Sequence, residues 1–405
     1  MMKTNKLLGN VELTKDLNLL LLIGGLYSLS IALSNTFVNI FLWKQSGEFK
    51  DLGLYNMAII ILQLVTFILA GRWAKKVDRV IVLRLGVIFL ALFYLSVLLI
   101  GDKASSYLIL LGCLLGIGYG FYWLAFNVLT FEVTEPETRD FFNGFLGVLT
   151  SVGGMIGPIL AGYIISALSK SSGYMVVFGI SLGLFSLAVV LSFFLKRRPA
   201  SGQFLFRRII EERKNSQNWR LITKAHFFQG LREGTFAFVI TVFVFIATGS
   251  EMALGKFGLI NSGISFVAYY IVSRTIKNGN RNKAILTGGI LLFLSMFIII
   301  FDFSYTKLLI YAGVIAIAYP LILIPYTSLT FDVIGRSWNA REMRIEYIVV
   351  REMFLNLGRL FSILVFFVGV LFFQPDKILP YVLFLLGTGH SFIYFCTRKI
   401  RLDSK

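Results

Sequence analysis

Glu352, Asn356 and Arg359 follow one another at intervals of four and three residues. That spacing puts side chains on one face of an α-helix. Arg351 adjoins them, and a second charged pair, Arg232 and Glu233, stands earlier in the chain; all lie within long apolar runs. Burial holds a proton on a carboxyl group and a neighbouring guanidinium drives it off. A glutamate that changes neighbours between two conformations therefore loads and releases a proton, and Glu352 and Glu233 are the candidates. Arg359, Arg351 and Arg232 offer planar, permanently charged forks to an anionic group. Two arginines against one glutamate in 351–359 leave a surplus positive charge, which favours an anionic or phosphate-bearing ligand. Asn356, Asn35, Asn39, Asn127 and Tyr27 are further candidate binding groups, with Asn56 and Gln63 as polar partners. A fixed Arg–Glu clamp that only holds helices together would use the same residues.

The elements that position these groups belong in a bilayer. Hydrophobic residues make up 57% of the 405 and charged residues 15%, with a mean hydropathy of +0.79; soluble domains carry about 25% charged residues. A soluble fold is excluded. Disorder is excluded by 40 Phe and 17 Tyr. A bilayer core takes about 20 apolar residues of helix, and an ionised residue at its centre costs about 2.5–3.5 kcal/mol. Cutting the chain at charged and turn-rich breaks predicts twelve spans. They lie near 17–43, 52–71, 81–101, 107–131, 141–168, 174–195, 224–248, 253–273, 284–302, 307–331, 346–373 and 379–397. The expected fold is all-α and integral to the membrane: two six-helix bundles, 1–195 and 224–405, joined by a linker over 196–223.

Charge sets the orientation. The net charge is +18, from 39 Lys and Arg against 21 Asp and Glu. The loops on one side hold only Lys44, Lys50, Lys103, Lys170, Lys256, Lys307 and Lys377, and most of the rest fall in loops on the other. Basic loops stay in the cytoplasm, so both termini are expected there, and nucleic acid is not implied. Phe204, Leu205, Phe206, Ile209 and Ile210 beside Arg207, Arg208, Arg213 and Lys214 predict an amphipathic helix on the inner leaflet. A solvated basic linker is the alternative. The polar N-terminus reads as having no signal peptide. Two Cys and two His build no metal or cofactor site. No nucleotide-binding Gly-x-x-x-x-Gly-Lys loop and no nucleophile–base–acid set stand in the sequence, so an enzyme is not expected.

The halves repeat. Leu52-Gly53 recurs as Leu254-Gly255, and Arg72, Lys75, Arg79 and Gly86 recur as Arg274, Lys277, Arg281 and Gly288. Leu129-Thr130-Phe131-Glu132-Val133 recurs as Leu329-Thr330-Phe331-Asp332-Val333, Tyr119 as Tyr319, and Gly25-Leu26 of the first span as Gly230-Leu231 of the seventh. The fifth span reads Gly153-Gly154-Met155-Ile156-Gly157-Pro158-Ile159-Leu160-Ala161-Gly162, and the loop after the second runs Gly71-Arg72-Trp73-Ala74-Lys75-Lys76-Val77-Asp78-Arg79. Small residues let helices approach closely, and a proline loosens the backbone.

On these residues the chain resembles the major facilitator superfamily of secondary transporters. The fifth-span run is similar to the G-x-x-x-G-P-x-x-G-G pattern of its exporters, with Ala161 for one glycine. The loop resembles the G-x-x-x-D-R-x-G-R signature: Gly71 and Arg79 fit, Lys75 stands where an acid is usual, and Asp78 where glycine is. The resemblance implies a cytoplasmic charge lock there, which the missing acid puts in question. The exporters' span-four arginine is absent, since Gly112 holds its position. More narrowly, the stretch from Val11 through Phe37-Val38-Asn39-Ile40-Phe41-Leu42-Trp43-Lys44 is similar to transporters of Bacillus-like bacteria without assigned substrates. The implied function is alternating access in a bacterial plasma membrane by a monomer, with proton-coupled export of a small amphiphilic or anionic compound. Flipping of a lipid-linked precursor, uptake of a sugar or metabolite, and a degenerate scaffold are the alternatives. Tyr119, Phe121, Tyr122 and Trp123 read as packing residues, and Pro320 and Pro325 should bend their helix.

Overall fold

The computed structural model describes residues 14–133, 136–168, 170–196, 202–276, 278–300 and 303–402. The repeat position Lys277 and the segment before Thr14 lie outside them. Among the described residues all regular structure is helical. The first half holds α1 (Lys15–Ser46), α2 (Phe49–Lys76), α3 (Arg79–Ile100), α4 (Leu108–Val133), α5 (Pro136–Ala167) and α6 (Lys170–Ser192). The linker contributes α7 (Phe206–Asn215). The second half holds α8 (Gln217–Thr248), α9 (Glu251–Thr275), α10 (Arg281–Ile299), α11 (Tyr305–Gly335), α12 (Arg344–Phe372), α13 (Pro375–Gly387) and α14 (Gly389–Thr397). The twelfth crossing is therefore broken at Thr388.

Local chemistry sets these ends. Asp78 caps α3 by accepting from the Val80 amide at 2.8 Å, and Ser216 and Ser250 cap α8 and α9 by accepting from Trp219 and Ala253. Gly47 and Gly249 close the first helix of each half in left-handed backbone at φ 68° and 61°. Ten segments are long and apolar enough to cross a membrane. One of them, Arg79–Thr130, contains both α3 and α4. Besides the short linker helix α7, the long helix below that standard is α9, where Asn261, Ser262, Glu251 and Lys256 dilute the apolar content.

The duplication is visible as matched contacts. In the first half α1 packs on α5 and α6, and α4 on α2 and α3; in the second α8 packs on α12 and α14, and α11 on α9 and α10. Arg79 meets Glu132 between α3 and α4 at 2.7 Å, and the repeat partners Arg281 and Asp332 meet between α10 and α11 at 2.7 Å. The halves face each other through α5 against α9 and α2 against α12. The motif glycines divide between two neighbours. Cβ atoms at Gly153 and Gly157 would press on the α1 backbone, and one at Gly162 would stand 2.7 Å from Glu251 O of α9. Pro158 O in turn lies 2.6 Å from where a Cβ of Gly255 would stand.

Helix α7 is amphipathic, but its apolar side is spent on the protein. Ile209 is fully buried, its carbonyl accepts from Trp219 Nε1 at 3.0 Å, and Arg213 lies over the Phe354 ring. Arg207, Glu211 and Lys214 are exposed. The face of the bundle that carries α7 and the starts of α1, α8 and α12 is called the linker face below, and the other the far face.

Candidate functional site

Between the halves lies a cavity of about 470 Å³. Its second-half wall depends on how closely α8 and α12 approach. Gly230 and Gly234 form a Gly-x-x-x-Gly pair on α8, and Gly358 faces them from α12. A Cβ on Gly234 would stand 2.5 Å from Arg359 O, and Cβ atoms on Gly230 and Gly358 would collide with the carbonyls of Leu355 and Phe227. Only glycine admits such contact. One turn on, Thr235 and Ser362 join hydroxyls at 2.8 Å.

This contact sets Glu233 and Arg359 side by side at the cavity wall. Glu233 Oε2 accepts from Arg359 Nη2 at 2.6 Å and from Nε at 3.2 Å. Glu233 Oε1 accepts from Gln229 at 2.7 Å. Arg359 Nη1 also reaches Asn356 Oδ1 at 3.4 Å. Both charged side chains keep about a fifth to a quarter of their surface exposed, at 20% and 24%. Charge-assisted, two-pronged pairs of this kind are strong yet exchangeable with another anion. The opposite wall is neutral and polar: Asn35, Asn56, Gln63 and Tyr119. Tyr119 donates to Asn35 Oδ1 at 3.4 Å. Trp123, Phe236, Phe257, Tyr311 and Tyr319 complete an aromatic lining.

The other sequence candidates lie outside this lining. Arg351 and Glu352 pair with each other and are mostly buried, nearer the linker face than Arg359 on the same helix. Asn356 is fully buried and donates to Glu352 O at 3.0 Å. Asn39 accepts from Asn56 at 3.0 Å behind the wall. Tyr27 stacks on Tyr122 at 4.0 Å between centroids, and Asn127 is half-buried on α4. Arg232 projects from α8 away from the cavity into the second half, where Nη2 donates to Tyr311 Oη at 2.9 Å. Helical rotation accounts for the divergence: neighbours on a helix differ by about 100° in direction, and here Arg232 turns to Tyr311 while Glu233 turns to Arg359. Tyr119 and Trp123, expected as packing residues, line the cavity. Tyr311 and Tyr319 were not singled out by sequence; the repeat partner of Tyr119 was the available signal.

Ion pairs join the halves on both sides of the cavity. At the linker face Lys75 of α2 meets Glu346 of α12 at 2.5 Å, with both side chains almost wholly buried. Lys75 also donates to Gln203 O at 3.1 Å and Glu342 O at 3.2 Å, and the Leu205 amide donates to Glu346 Oε1 at 3.1 Å. A Cβ on Gly71 would stand 2.7 Å from Val349. The motif loop thus makes a charge contact of reversed polarity, with the base on α2 and the acid on α12. Of its other members, Arg72 is exposed and Arg79 pairs with Glu132. At the far face Lys44 of α1 meets Glu251 of α9 at 2.6 Å, and Tyr174 donates to the same oxygen at 3.0 Å.

Comparison with known proteins agrees with this architecture. The chain is 60% identical to the uncharacterized protein YqgE of Bacillus subtilis (strain 168), over 100% of this chain and 94% of that protein. Among solved structures it is similar to the human organic anion transporter MFSD10 (TETRAN), with TM-score 0.69 and 15% identity over 94% of this chain and 98% of the other. It is similar also to a bacterial homologue of the iron transporter ferroportin in an outward-facing state, with TM-score 0.69 and 15% identity over 95% and 99%. The Major Facilitator Superfamily model matches residues 20–343. With paired halves, a cavity between them and a family match over most of its length, the chain belongs to the Major Facilitator Superfamily and is a multi-pass membrane transporter rather than an enzyme.

Proposed function

We propose that this transporter exports small amphiphilic or anionic compounds in exchange for protons, by alternating access. Residues 1–195 and 224–405 move as two units, and 196–223 straps them together. The linker face is cytoplasmic, as the basic loops require, and the membrane is a bacterial plasma membrane.

The observation that carries this reading is the Glu233–Arg359 pair on the cavity wall. The pair is closed in one conformation and parted in the other. Beside Arg359, in the conformation that takes up ligand from the cytoplasm, Glu233 sheds its proton; when the halves rock and the two part, the ligand leaves and Glu233 takes a proton from the other side, which is released inward when the pair re-forms. Arg359 is also near enough to feel Glu352, which lies about 10 Å along the same helix and is the second proton candidate. The organic anion transporter among the structural relatives fits an anionic cargo. A metal cargo fits less well. Among the described residues no group of three or more His, Cys, Asp or Glu stands together, and the cavity's one carboxylate is committed to Arg359.

The test is uptake of 6-carboxyfluorescein into everted vesicles with and without an imposed pH gradient. Wild-type uptake should rise with the gradient, and Glu233→Gln should remove that dependence while leaving downhill exchange. Full gradient dependence in Glu233→Gln would overturn the assigned role.

A further inference from the structure

Arg232 is fully buried, and no carboxylate partners it among the described residues. Its Nη1 makes long contacts, to Leu292 O at 3.3 Å, Met296 Sδ at 3.5 Å and Gly387 O at 3.5 Å, and its Nε has no partner. A buried guanidinium without a carboxylate is expensive, and the Phe236 ring, its centroid 4.6 Å from Cζ, offsets only part of that cost. His390 stands three residues beyond Gly387, just after the break in the twelfth crossing. It too is fully buried, and both ring nitrogens lack a partner. Arg232 is close enough to His390 to act on it electrostatically. Tyr319 ties the two together: its ring meets the His390 ring edge-on at 5.4 Å, and its side chain lies beside Arg232. Tyr311 accepts from Arg232 at 2.9 Å and still has its own proton to give.

We propose that Arg232 and His390, with the hydroxyls of Tyr311 and Tyr319, bind a small inorganic anion of the size of chloride inside the second half. The donors on offer are Nε–H of the arginine, one N–H of the imidazole and two phenolic O–H groups. One negative charge balances the guanidinium and accepts from the orphaned arginine nitrogen and from the protonated imidazole nitrogen together. The size follows from placement. Arg232 and His390 are sealed behind the cavity wall, and only Tyr311 and Tyr319 reach the lining, so an organic tail has nowhere to go. Glu233, next along α8, is engaged with Arg359 and does not serve as the counter-ion. The ion would fix the two tyrosines that form part of the cargo cavity. The proposal concerns a resident ion and stands apart from the choice of cargo or coupling.

The test is thermal unfolding of the full-length protein in detergent, in sodium chloride against sodium gluconate at equal ionic strength. A bound anion should give a saturable rise of about 2–5 °C with chloride and a similar one with bromide. His390→Phe and Tyr319→Phe should fold in gluconate and lose the response, and Arg232→Met should do so if it folds. Arg359→Gln, which removes the bonds to Glu233 and Asn356 and none to the four anion ligands, should keep it, so failure of the export reading and failure of this one are separable. Equal melting in both salts would overturn the proposal and assign the orphaned nitrogens to buried water. So would a response that survives His390→Phe, or one that disappears in Arg359→Gln.

Discussion

Arg359 shows what residue type contributes that charge alone does not. It grips Glu233 through Nη2 and Nε together, a geometry that lysine cannot copy. Arg359→Lys should therefore keep the fold and the positive charge yet weaken binding of 6-carboxyfluorescein about tenfold, roughly 1.4 kcal/mol, in a fluorescence titration. An unchanged affinity would mean that charge alone is recognised. The cost of ionised groups in a bilayer made this cluster visible in the sequence. Which of its members face the cavity was not visible, because spacing fixes the angle between side chains on a helix and leaves the rotation of the helix free. Glu233 and Arg359 carry the same sequence signal as Arg232 and Glu352, and packing alone separates them.

Elements meet here through glycine. Gly358 lies under the Phe227 carbonyl, so Gly358→Ala must push α8 from α12 and should cost about 1–3 kcal/mol in detergent unfolding, with the Glu233–Arg359 pair displaced as well. Gly179 and Gly183 on α6 have nothing within 4 Å of an added Cβ. Alanine there should be neutral or stabilise by up to about 1 kcal/mol through helix propensity. The contrast separates close approach from mere smallness. The fifth-span glycines were legible as a motif, but their division between α1 and α9 was not, since it needs the neighbouring helices in place. The Gly230–Gly234 pair was present in the sequence as well, and the charges between its glycines drew the reading away from packing.

At the scale of the whole molecule, hydropathy and the repeat carried most of the information. The spans, the paired halves and the broken symmetry of the linker follow from them, because lipid forces every backbone group into helix. Helix α9 was legible from the charged and turn-rich breaks that flank 253–273 although its own apolar content is diluted. The Lys75–Glu346 contact escaped sequence reading because a family pattern supplied the expected sign and the chain reverses it. Its role can be isolated by exchange. Lys75→Glu and Glu346→Lys should each place like charges in a buried contact and open the linker face, and the double variant should close it again. Accessibility of a cysteine introduced at Val349, measured by maleimide labelling, reads this directly; labelling that ignores all three variants would deny the contact any gating role.

In the proposed cycle the two halves rock about the Glu233–Arg359 cavity and protons bias the motion. Spin-label distances test it without a known cargo, with one pair at Lys76 and Arg341 on the linker face and another at Lys50 and Lys377 on the far face. Two populations are expected for each pair, one face lengthening as the other shortens, with proportions that shift with pH in the wild type and stop shifting in Glu233→Gln. A single distance for each pair at every pH, or faces that open and close together, would contradict it.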